Sequence, residues 1–538
     1  MNDDVKTSPA TAIERAATQA KAGTEASDGC FLCQKQLWLS LFFDEPLHDA
    51  EEEKGTEIIT NIGKLFYAHE PKNSGRGIYP LYYNGLGTAF KGDSAVSKRT
   101  AQTTAKEEAE KAALDKLSGI GKGEDLASLN PKNWGTDLLG LIAKLAIEAG
   151  PARDAPIVSQ VTLSGVKTRI DNALAKTAEI VKDQTIRITR IHVAVFGAGM
   201  GGALARLFIN KLRGQCRKDG DTLYYPTAQG EAALELRFLG LLDCVSATMD
   251  DNPATSFVAS KFSGGFATLR VDGPMGIARA VAETVHYVAG HEVRLTRRVD
   301  SVRKAEGSYS EVVLPGSHED IVGGYANQVR GRSNQLARLA LGKLHSKAYA
   351  AGVPIWSMEK LKAKSTKLYE DFQFSQKVPV KNSEYGARTL AWRYGETGGS
   401  LEEQLIAHMR RFVSWLRLRH DDLRHPKRPP QAVYDLVEKQ INRLRRMVEH
   451  PRSTYVYSQE ELILLKAWAE PLPLNDYAMA LFDEFVHDEM YRSAFDLAAA
   501  DASNNGYFKL RGIDQNDELE IKKYDAEAAS RTAGGYRH

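Results

Sequence analysis

The chain has 538 residues, of which 43% are hydrophobic and 26% are charged. This composition is typical of a folded protein, and the length exceeds what one hydrophobic core usually organises, so we expect a large catalytic domain with appended structure. The 71 basic and 69 acidic residues nearly balance, which excludes a globally basic nucleic-acid-binding protein.

Cysteine content and the N-terminus indicate a protein made in the cytoplasm. The chain has too few cysteines for a disulfide framework: they are Cys30, Cys33, Cys216 and Cys244. The Cys30-x-x-Cys33 pair has no second Cys/His pair nearby, so we expect no metal and no cofactor. Residues 1–29 lack the apolar core of a signal peptide and are predicted to form a flexible tail. No apolar run is long enough to cross a membrane.

Apolar runs that end in polar residues predict an α/β fold. Strands are predicted at 37–43, 78–83, 186–196, 234–242 and 311–314, and helices at 100–117, 134–149, 166–181 and 203–212. Strands that alternate with helices form a mostly parallel sheet, with the functional site at the carboxyl edge of its strands. The helix at 134–149 is unusually apolar, and it either packs on the sheet or serves as a lid.

The second half of the chain has a different character. Residues 401–418, 432–448 and 459–469 have helical periodicity with many Arg, Leu, Glu and Lys residues. We therefore predict an α/β-hydrolase-like core at 30–330, with helical insertions at about 95–155 and 253–290, followed by a mainly helical region at 331–538.

The glycine-rich turn after the strongest strand, at 197–202, has two interpretations. Gly197, Gly199 and Gly202 fit the dinucleotide fingerprint G-x-G-x-x-G, but residues 213–221 have no apolar run leading to the acid that this motif requires. The turn also fits the nucleophile elbow G-x-S-x-G, with Gly199 where the serine belongs. The elbow holds its central residue in a strained conformation that glycine adopts without steric cost.

The residues that follow the turn favour the elbow. In such hydrolases the nucleophile, the acid and the histidine come in this order along the chain. Asp243 ends the next long apolar strand, and His318 follows a later one. The histidine would accept the nucleophile's proton, and the carboxylate would orient the imidazole. His291 and His487 are the competing bases, but the neighbours of His291 are typical of a structural ion-pair segment and His487-Asp488 is typical of a structural pair.

Several short motifs, taken in order, resemble the first class of type VI secretion lipase effectors, which are antibacterial phospholipases with an α/β-hydrolase domain. No single motif is specific, but their order and number are, and they span about residues 37–510. The motifs are Phe42-Phe43-Asp44, Asn61-Ile62-Gly63-Lys64-Leu65, Tyr82-Tyr83-Asn84-Gly85-Leu86-Gly87-Thr88, the elbow with Ala203-Leu204-Ala205-Arg206, Asp243, Ala289-Gly290-His291-Glu292-Val293-Arg294, Pro315-Gly316-Ser317-His318-Glu319-Asp320, Gly323-Gly324-Tyr325, Gly399-Ser400-Leu401-Glu402-Glu403-Gln404 and Phe485-Val486-His487-Asp488.

This resemblance implies a catalytic triad with Gly199 at the nucleophile position, Asp243 as the acid and His318 as the base. It implies an oxyanion hole at Met200 together with Asp44 and Glu45, of which the backbone N–H of Met200 is the better donor. The chain departs from the family pattern at three places. The serine is absent, and Glu45 replaces the usual glycine. The segment after His318 has Ile321-Val322 followed by two glycines, where the family pattern continues to three glycines.

The resemblance also implies a function. When serine occupies position 199, the protein would hydrolyse glycerophospholipid esters through an acyl-serine intermediate. The present chain would be an inactivated form, most simply an engineered one, and Gly199→Ser is expected to restore activity. The implied partners are membrane phospholipid, a spike protein of the secretion machine and an immunity protein, with action at the target-cell periplasm or membrane. Membrane contact is predicted for 134–149 and 257–288.

Two other functions stay open at this point. One is a dinucleotide-binding oxidoreductase that uses Gly197, Gly199 and Gly202. The other is a non-catalytic binding protein on the hydrolase fold, in which the pocket serves only for recognition.

Overall fold

The computed structural model describes residues 34–90, 163, 165–248, 269–271, 273–294, 297–395, 397–489 and 506–514. The strands of these residues are β1 (Gln34–Phe43), β2 (Ile78–Tyr83), β3 (Arg187–Ala198), β4 (Arg217–Asp219), β5 (Thr222–Thr227), β6 (Gly230–Leu242), β7 (Ala247–Thr248), β8 (Leu269–Arg270), β9 (Thr284–Ala289), β10 (Val299–Asp300), β11 (Tyr309–Leu314), β12 (Lys377–Val380), β13 (Ser383–Gly386) and β14 (Ile513–Asp514).

The helices of the same residues lie mostly in the second half of the chain. They are α1 (Asn61–Ala68), α2 (Val166–Lys182), α3 (Met200–Arg213), α4 (His318–Val322), α5 (Ala337–Ala350), α6 (Met358–Lys364), α7 (Thr366–Glu370), α8 (Ala387–Tyr394), α9 (Leu401–Asp421), α10 (Gln431–Glu449), α11 (Gln459–Ala469) and α12 (Asp476–Glu484). None of these helices is both long and apolar enough to span a lipid bilayer.

The centre of the molecule is an eight-stranded, mostly parallel sheet. Six strands run parallel in the order β11-β9-β6-β3-β1-β2, and the β4–β5 hairpin extends the sheet antiparallel to β6. The middle strands β1 and β3 are almost continuously apolar, because a parallel sheet is covered on both faces. The α/β fold with a helical C-terminal region agrees with the class predicted from the sequence.

The side chains of β1 alternate between two hydrophobic layers. Leu39 and Leu41 pack with α2 and α3 on one face of the sheet, whereas Phe42 packs with α1 and α5 on the other. A third hydrophobic cluster, built mainly from helices α8 to α12, forms the core of the C-terminal region. The sheet is thus held between helices, and the carboxyl ends of its strands meet at one edge.

The structure corrects one predicted element and contains several that were not predicted. Thr284–Ala289 forms a fully buried strand between β6 and β11, so the helical insertion predicted at 253–290 is wrong for these residues. The membrane contact predicted for 257–288 is wrong for residues 284–288 for the same reason, because they lie inside the sheet. A short apolar run that is buried on both faces has the same pattern in a strand as in a buried helix, which explains the error. The β4–β5 hairpin was not predicted.

Several predictions fall on residues outside the described part of the chain. These are the tail at 1–29, the helices at 100–117 and 134–149, the whole insertion at about 95–155, the pair Cys30 and Cys33, and residues 253–268 of the second insertion, which include 257–268 of the predicted membrane-contacting segment.

Helix α3 packs closely against the end of β1 because residue 201 is a glycine and has no side chain. A Cβ atom on Gly201 would lie 2.3 Å from the carbonyl oxygen of Phe43 and 2.5 Å from that of Asp44. Both neighbours are backbone atoms, so the helix would have to move away from the strand.

We therefore expect Gly201→Ala to lower the free energy of unfolding by about 1 to 3 kcal/mol, as overpacking does. Gly342→Ala is the matched control, because its added Cβ meets no atom within 4 Å on helix α5 and should stabilise the protein by about 0.5 to 1 kcal/mol. Urea unfolding of both variants checks this prediction, and equal stability of the two would contradict it.

Candidate active site

The turn between β3 and α3 holds Gly199 in a conformation that other residues rarely adopt. Its dihedral angles are φ 48° and ψ −117°. Its N–H donates to the carbonyl of Leu242 at 2.9 Å, and its own carbonyl accepts from the N–H of Val245 at 3.0 Å, so the turn is bound to the end of β6. A strained turn from a strand to a helix is the backbone geometry of a nucleophile elbow.

Strand register brings three candidate residues to the same level of the sheet. Phe43 of β1 lies opposite Gly197 of β3, and Gly197 lies opposite Leu241 of β6. Two residues further along each strand come Glu45, Gly199 and Asp243. The parallel pairing therefore places these residues side by side at the carboxyl edge of the sheet.

The acid and the histidine are joined directly. Nδ1 of His318 donates to Oδ2 of Asp243 at 2.6 Å, and both side chains are completely buried. Asp243 stands just beyond β6 with a φ of 42°, and its Oδ1 also accepts the backbone N–H of Ala289 at 2.9 Å. His318 opens helix α4, whose first turn is closed by a capping box between Ser317 and Asp320.

Glu45 occupies the space that a side chain at position 199 would fill, which we call the position-199 niche. A Cβ atom built on Gly199 would lie 1.7 Å from Oε2 of Glu45 and 2.8 Å from its Oε1. Oε1 accepts from Nε2 of His318 at 3.2 Å and from Nη1 of Arg297 at 3.0 Å. The carboxylate of Glu45 therefore stands where the nucleophile of a hydrolase triad would stand.

The two carboxylates set the protonation state of His318. An ionised carboxylate can only accept hydrogen bonds, so both ring nitrogens must carry protons, and the imidazole is a cation. Burial by itself would lower the pKa of His318, but the charge of Glu45 and the hydrogen bonds to Asp243 and Glu45 raise it to about 9. At neutral pH both ring nitrogens of His318 therefore carry protons, and neither can accept a proton.

A second arginine, Arg511, completes the site. Its Nη1 donates to Oδ1 and Oδ2 of Asp243 at 2.8 and 2.9 Å. Burial would raise the pKa of Asp243, but the charge of Arg511 and the hydrogen bond from His318 hold it well below its usual value. Likewise, burial opposes ionisation of Glu45, yet His318 and Arg297 lower its pKa. No sequence pattern marked Arg297 or Arg511.

Of the three predicted oxyanion donors, the structure argues against Asp44 and Glu45 and leaves Met200 as a candidate. The N–H of Asp44 donates to the carbonyl of Tyr83 at 2.9 Å, and the N–H of Glu45 donates to Oδ1 of Asp44 at 2.8 Å. Both donors have protein acceptors in this conformation, which corrects the expectation that they face an oxyanion. Met200 opens α3, where a helix's first N–H groups have no acceptor within the helix, so it stays the better candidate.

The competing histidines have structural partners. His291 is buried, and its Nδ1 accepts the N–H of Gly316 at 2.8 Å. The ion pair of its segment is formed by Glu292 and Arg294 at 2.7 Å. His487 does not pair with Asp488 as predicted. It pairs with Asp320 of α4 at 2.7 Å.

The glycine turn is also closed to a dinucleotide. The close approach of Gly201 to β1 is described above, and a Cβ on Gly202 would lie 2.8 Å from Sγ of Cys244. The N-terminal turn of α3 thus packs on protein where a pyrophosphate would need space. The acid at the end of the neighbouring strand, Asp243, is buried against His318 and Arg511. These contacts argue against the dinucleotide interpretation.

Comparisons with known proteins found several similar solved structures, including the two below. No family model matches the chain, and no curated protein matches it. An uncharacterized protein from Pseudomonas aeruginosa has 18% sequence identity and a TM-score of 0.49, over 100% of this chain and 71% of that one. The Tle1 effector bound to the VgrG spike from the Type 6 secretion system has 14% identity and a TM-score of 0.34, over 72% of this chain and 88% of that one.

The raised pKa of His318 gives a testable pH dependence. The folded protein binds more protons than the unfolded chain between the ordinary pKa of 6.5 and about 9. The stability from this pairing is therefore fully present below about pH 6.5 and is lost as the pH rises through about 9. Glu45→Gln removes the charge that raises this pKa most.

In the unsubstituted chain, the free energy of unfolding should fall as the pH rises over this range. In the Glu45→Gln variant, this fall should be smaller by about 1 to 3 kcal/mol. Urea unfolding at a series of pH values measures the difference. Glu231→Gln, which breaks a surface pair with Arg217, is the control and should leave the pH profile unchanged. Parallel profiles for the Glu45→Gln variant and the unsubstituted chain would show that Glu45 does not control His318.

Proposed function

We propose that the chain is a lipase-like effector of the type VI secretion kind whose ester-hydrolase site is catalytically silent in the form described. The observation that carries this proposal is the carboxylate of Glu45 at Nε2 of His318, in the place of a nucleophile.

The hydrolase part of the proposal is supported by three features that meet at one edge of the sheet. They are the strained turn at Gly199, the buried Asp243–His318 pair, and the order of these residues along the chain. The effector part is supported by the series of motifs that the chain shares with the lipase effectors. Those motifs include residues of the site, since Asp243 is one of them and another contains His318.

The silent state follows from the chemistry of serine hydrolysis. The histidine must start neutral, take the proton of the attacking hydroxyl and later return it to the leaving group. Position 199 has no hydroxyl, and His318 already carries protons on both nitrogens. Glu45 is a poor substitute, because attack of a carboxylate on an ester would form an anhydride and would require breaking its contacts with His318 and Arg297.

The purified chain is expected to release no fatty acid from phospholipid vesicles and no alcohol from short-chain esters, above the rate without protein. Because His318 is held as a cation, His318→Asn should leave this background unchanged. Release of fatty acid that His318→Asn abolishes would contradict the proposal, since it would show a working base. Far-ultraviolet circular dichroism of the variant controls for its folding.

The partners in this proposal are a spike protein, an immunity protein and a phospholipid membrane. A silent catalytic site does not prevent loading on the spike, so the full chain should co-purify with the spike protein of its own secretion machine when both are produced together. An unrelated spike protein is the control. If the spike protein of its own secretion machine does not co-purify with the chain, the proposal of delivery as spike cargo fails. This outcome does not depend on hydrolysis.

A further inference from the structure

Two departures from the hydrolase pattern meet at one point in space. Compared with the lipase effectors that the chain resembles, Gly199 stands in place of the nucleophilic serine, and Glu45, which is far away in the sequence, stands in place of a glycine. In the fold they are neighbours because Phe43 and Gly197 are register partners of β1 and β3. The carboxylate of Glu45 lies within 3 Å of the point where a residue-199 Cβ would stand.

The backbone of Glu45 is held in place independently of its side chain. The loop after β1 is bound to the loop after β2, because the N–H of Leu47 donates to the carbonyl of Leu86 at 2.8 Å and the N–H of Gly85 donates to the carbonyl of His48 at 2.9 Å. A Cβ on Gly85 would lie 1.7 Å from the carbonyl oxygen of Glu45. The two loops are therefore in close contact, and the loop of Glu45 has little freedom to retreat.

The side chain of Glu45 is equally constrained. Its Oε1 is shared by Arg297 and His318, and the residue is only 4% exposed. Its Oε2 is buried and has no hydrogen-bond partner among the described residues. This oxygen is the atom that comes closest to the Cβ position of residue 199, so the carboxylate fits only because that Cβ is absent.

We propose that Glu45 and Gly199 form one coupled feature, in which the Glu45 side chain is a built-in occupant of the position-199 niche and glycine is the only residue that leaves room for it. The site is then blocked by an intramolecular contact as well as by the loss of a hydroxyl. This inference depends on the proposed function only where hydrolysis is measured.

The coupling revises the expectation that Gly199→Ser restores activity. A serine in that conformation would collide with the carboxylate of Glu45. Even if Glu45 moved, the hydroxyl would have to displace it from Nε2 of His318, where the carboxylate is held by opposite charge. A working triad therefore requires that both residues change, with a serine at position 199 and a residue as small as glycine at position 45.

Thermal unfolding of three variants tests the coupling without reference to activity. Gly199→Ala adds only the Cβ atom and should lower the melting temperature by a few degrees, because it displaces a buried charged group. In the Glu45→Gly background the niche is empty, so adding Gly199→Ala should cost much less. The effects of the two substitutions are thus expected to be non-additive.

Hydrolysis of phospholipid vesicles tests the block itself. The double variant Glu45→Gly/Gly199→Ser should release fatty acid at a rate about tenfold or more above that of either single variant. Glu45→Gln/Gly199→Ser is the matched control, because glutamine keeps the volume of Glu45 and should stay inactive. Glu45→Gly/Gly199→Ala has an open niche without a hydroxyl and should also be inactive.

The outcomes separate this inference from the proposed function. Non-additive melting temperatures with no hydrolysis by the Glu45→Gly/Gly199→Ser variant would support the coupling and contradict the hydrolase assignment. Additive melting temperatures, or activity of Gly199→Ser alone, would overturn the coupling. If Gly199→Ala fails to fold, the comparison rests on the Glu45→Gly background, and failure of Glu45→Gly/Gly199→Ala to fold there as well would also overturn it.

Discussion

A row of five charged side chains, of which four are buried and Arg297 is partly buried, determines the state of this site. Arg297, Glu45, His318, Asp243 and Arg511 alternate in sign, and each neighbouring pair is within 3.2 Å. Removing an ionised group from water costs several kcal/mol, so a buried charge is tolerated only when its partners are close and well oriented. Here each carboxylate lies between two cations, and the imidazole lies between two carboxylates. The row is complete only while His318 is protonated.

The same row connects the two halves of the chain. Arg511 lies just before β14, which pairs with β10 in a separate two-stranded sheet, and it reaches Asp243 from the C-terminal segment. The N–H of Asp300 in β10 donates to the carbonyl of Cys244, just beyond β6, at 2.7 Å. His487, which also belongs to the second half of the chain, pairs with Asp320 and so holds the helix that begins at His318. The helical region therefore contributes directly to the geometry of the candidate site. A domain boundary at residue 330 describes a change in sequence composition, but side chains from both sides of it build the site.

The sequence was informative where local patterns carry physical meaning. The apolar strands β1, β3 and β6, the strained turn at Gly199 and the order of Asp243 and His318 could all be predicted, because periodicity and strand ends are local features. The strand β9 could not be distinguished from a buried helix by its pattern. Arg297 and Arg511 could not be predicted either, because a single arginine has no local signature and its role depends on tertiary contacts.

The contact between Glu45 and position 199 is different, because the strand order would have been enough to foresee it. Once β1 is placed beside β3 with Phe43 opposite Gly197, residue 45 must face residue 199, and residue 243 must face it from the other side. A triad motif identifies the nucleophile, the acid and the base from their order along the chain. It does not include residue 45, which faces position 199 from the neighbouring strand. Whether a hydrolase fold can perform hydrolysis depends on that residue as well, since a charged side chain there competes with the nucleophile for the same histidine.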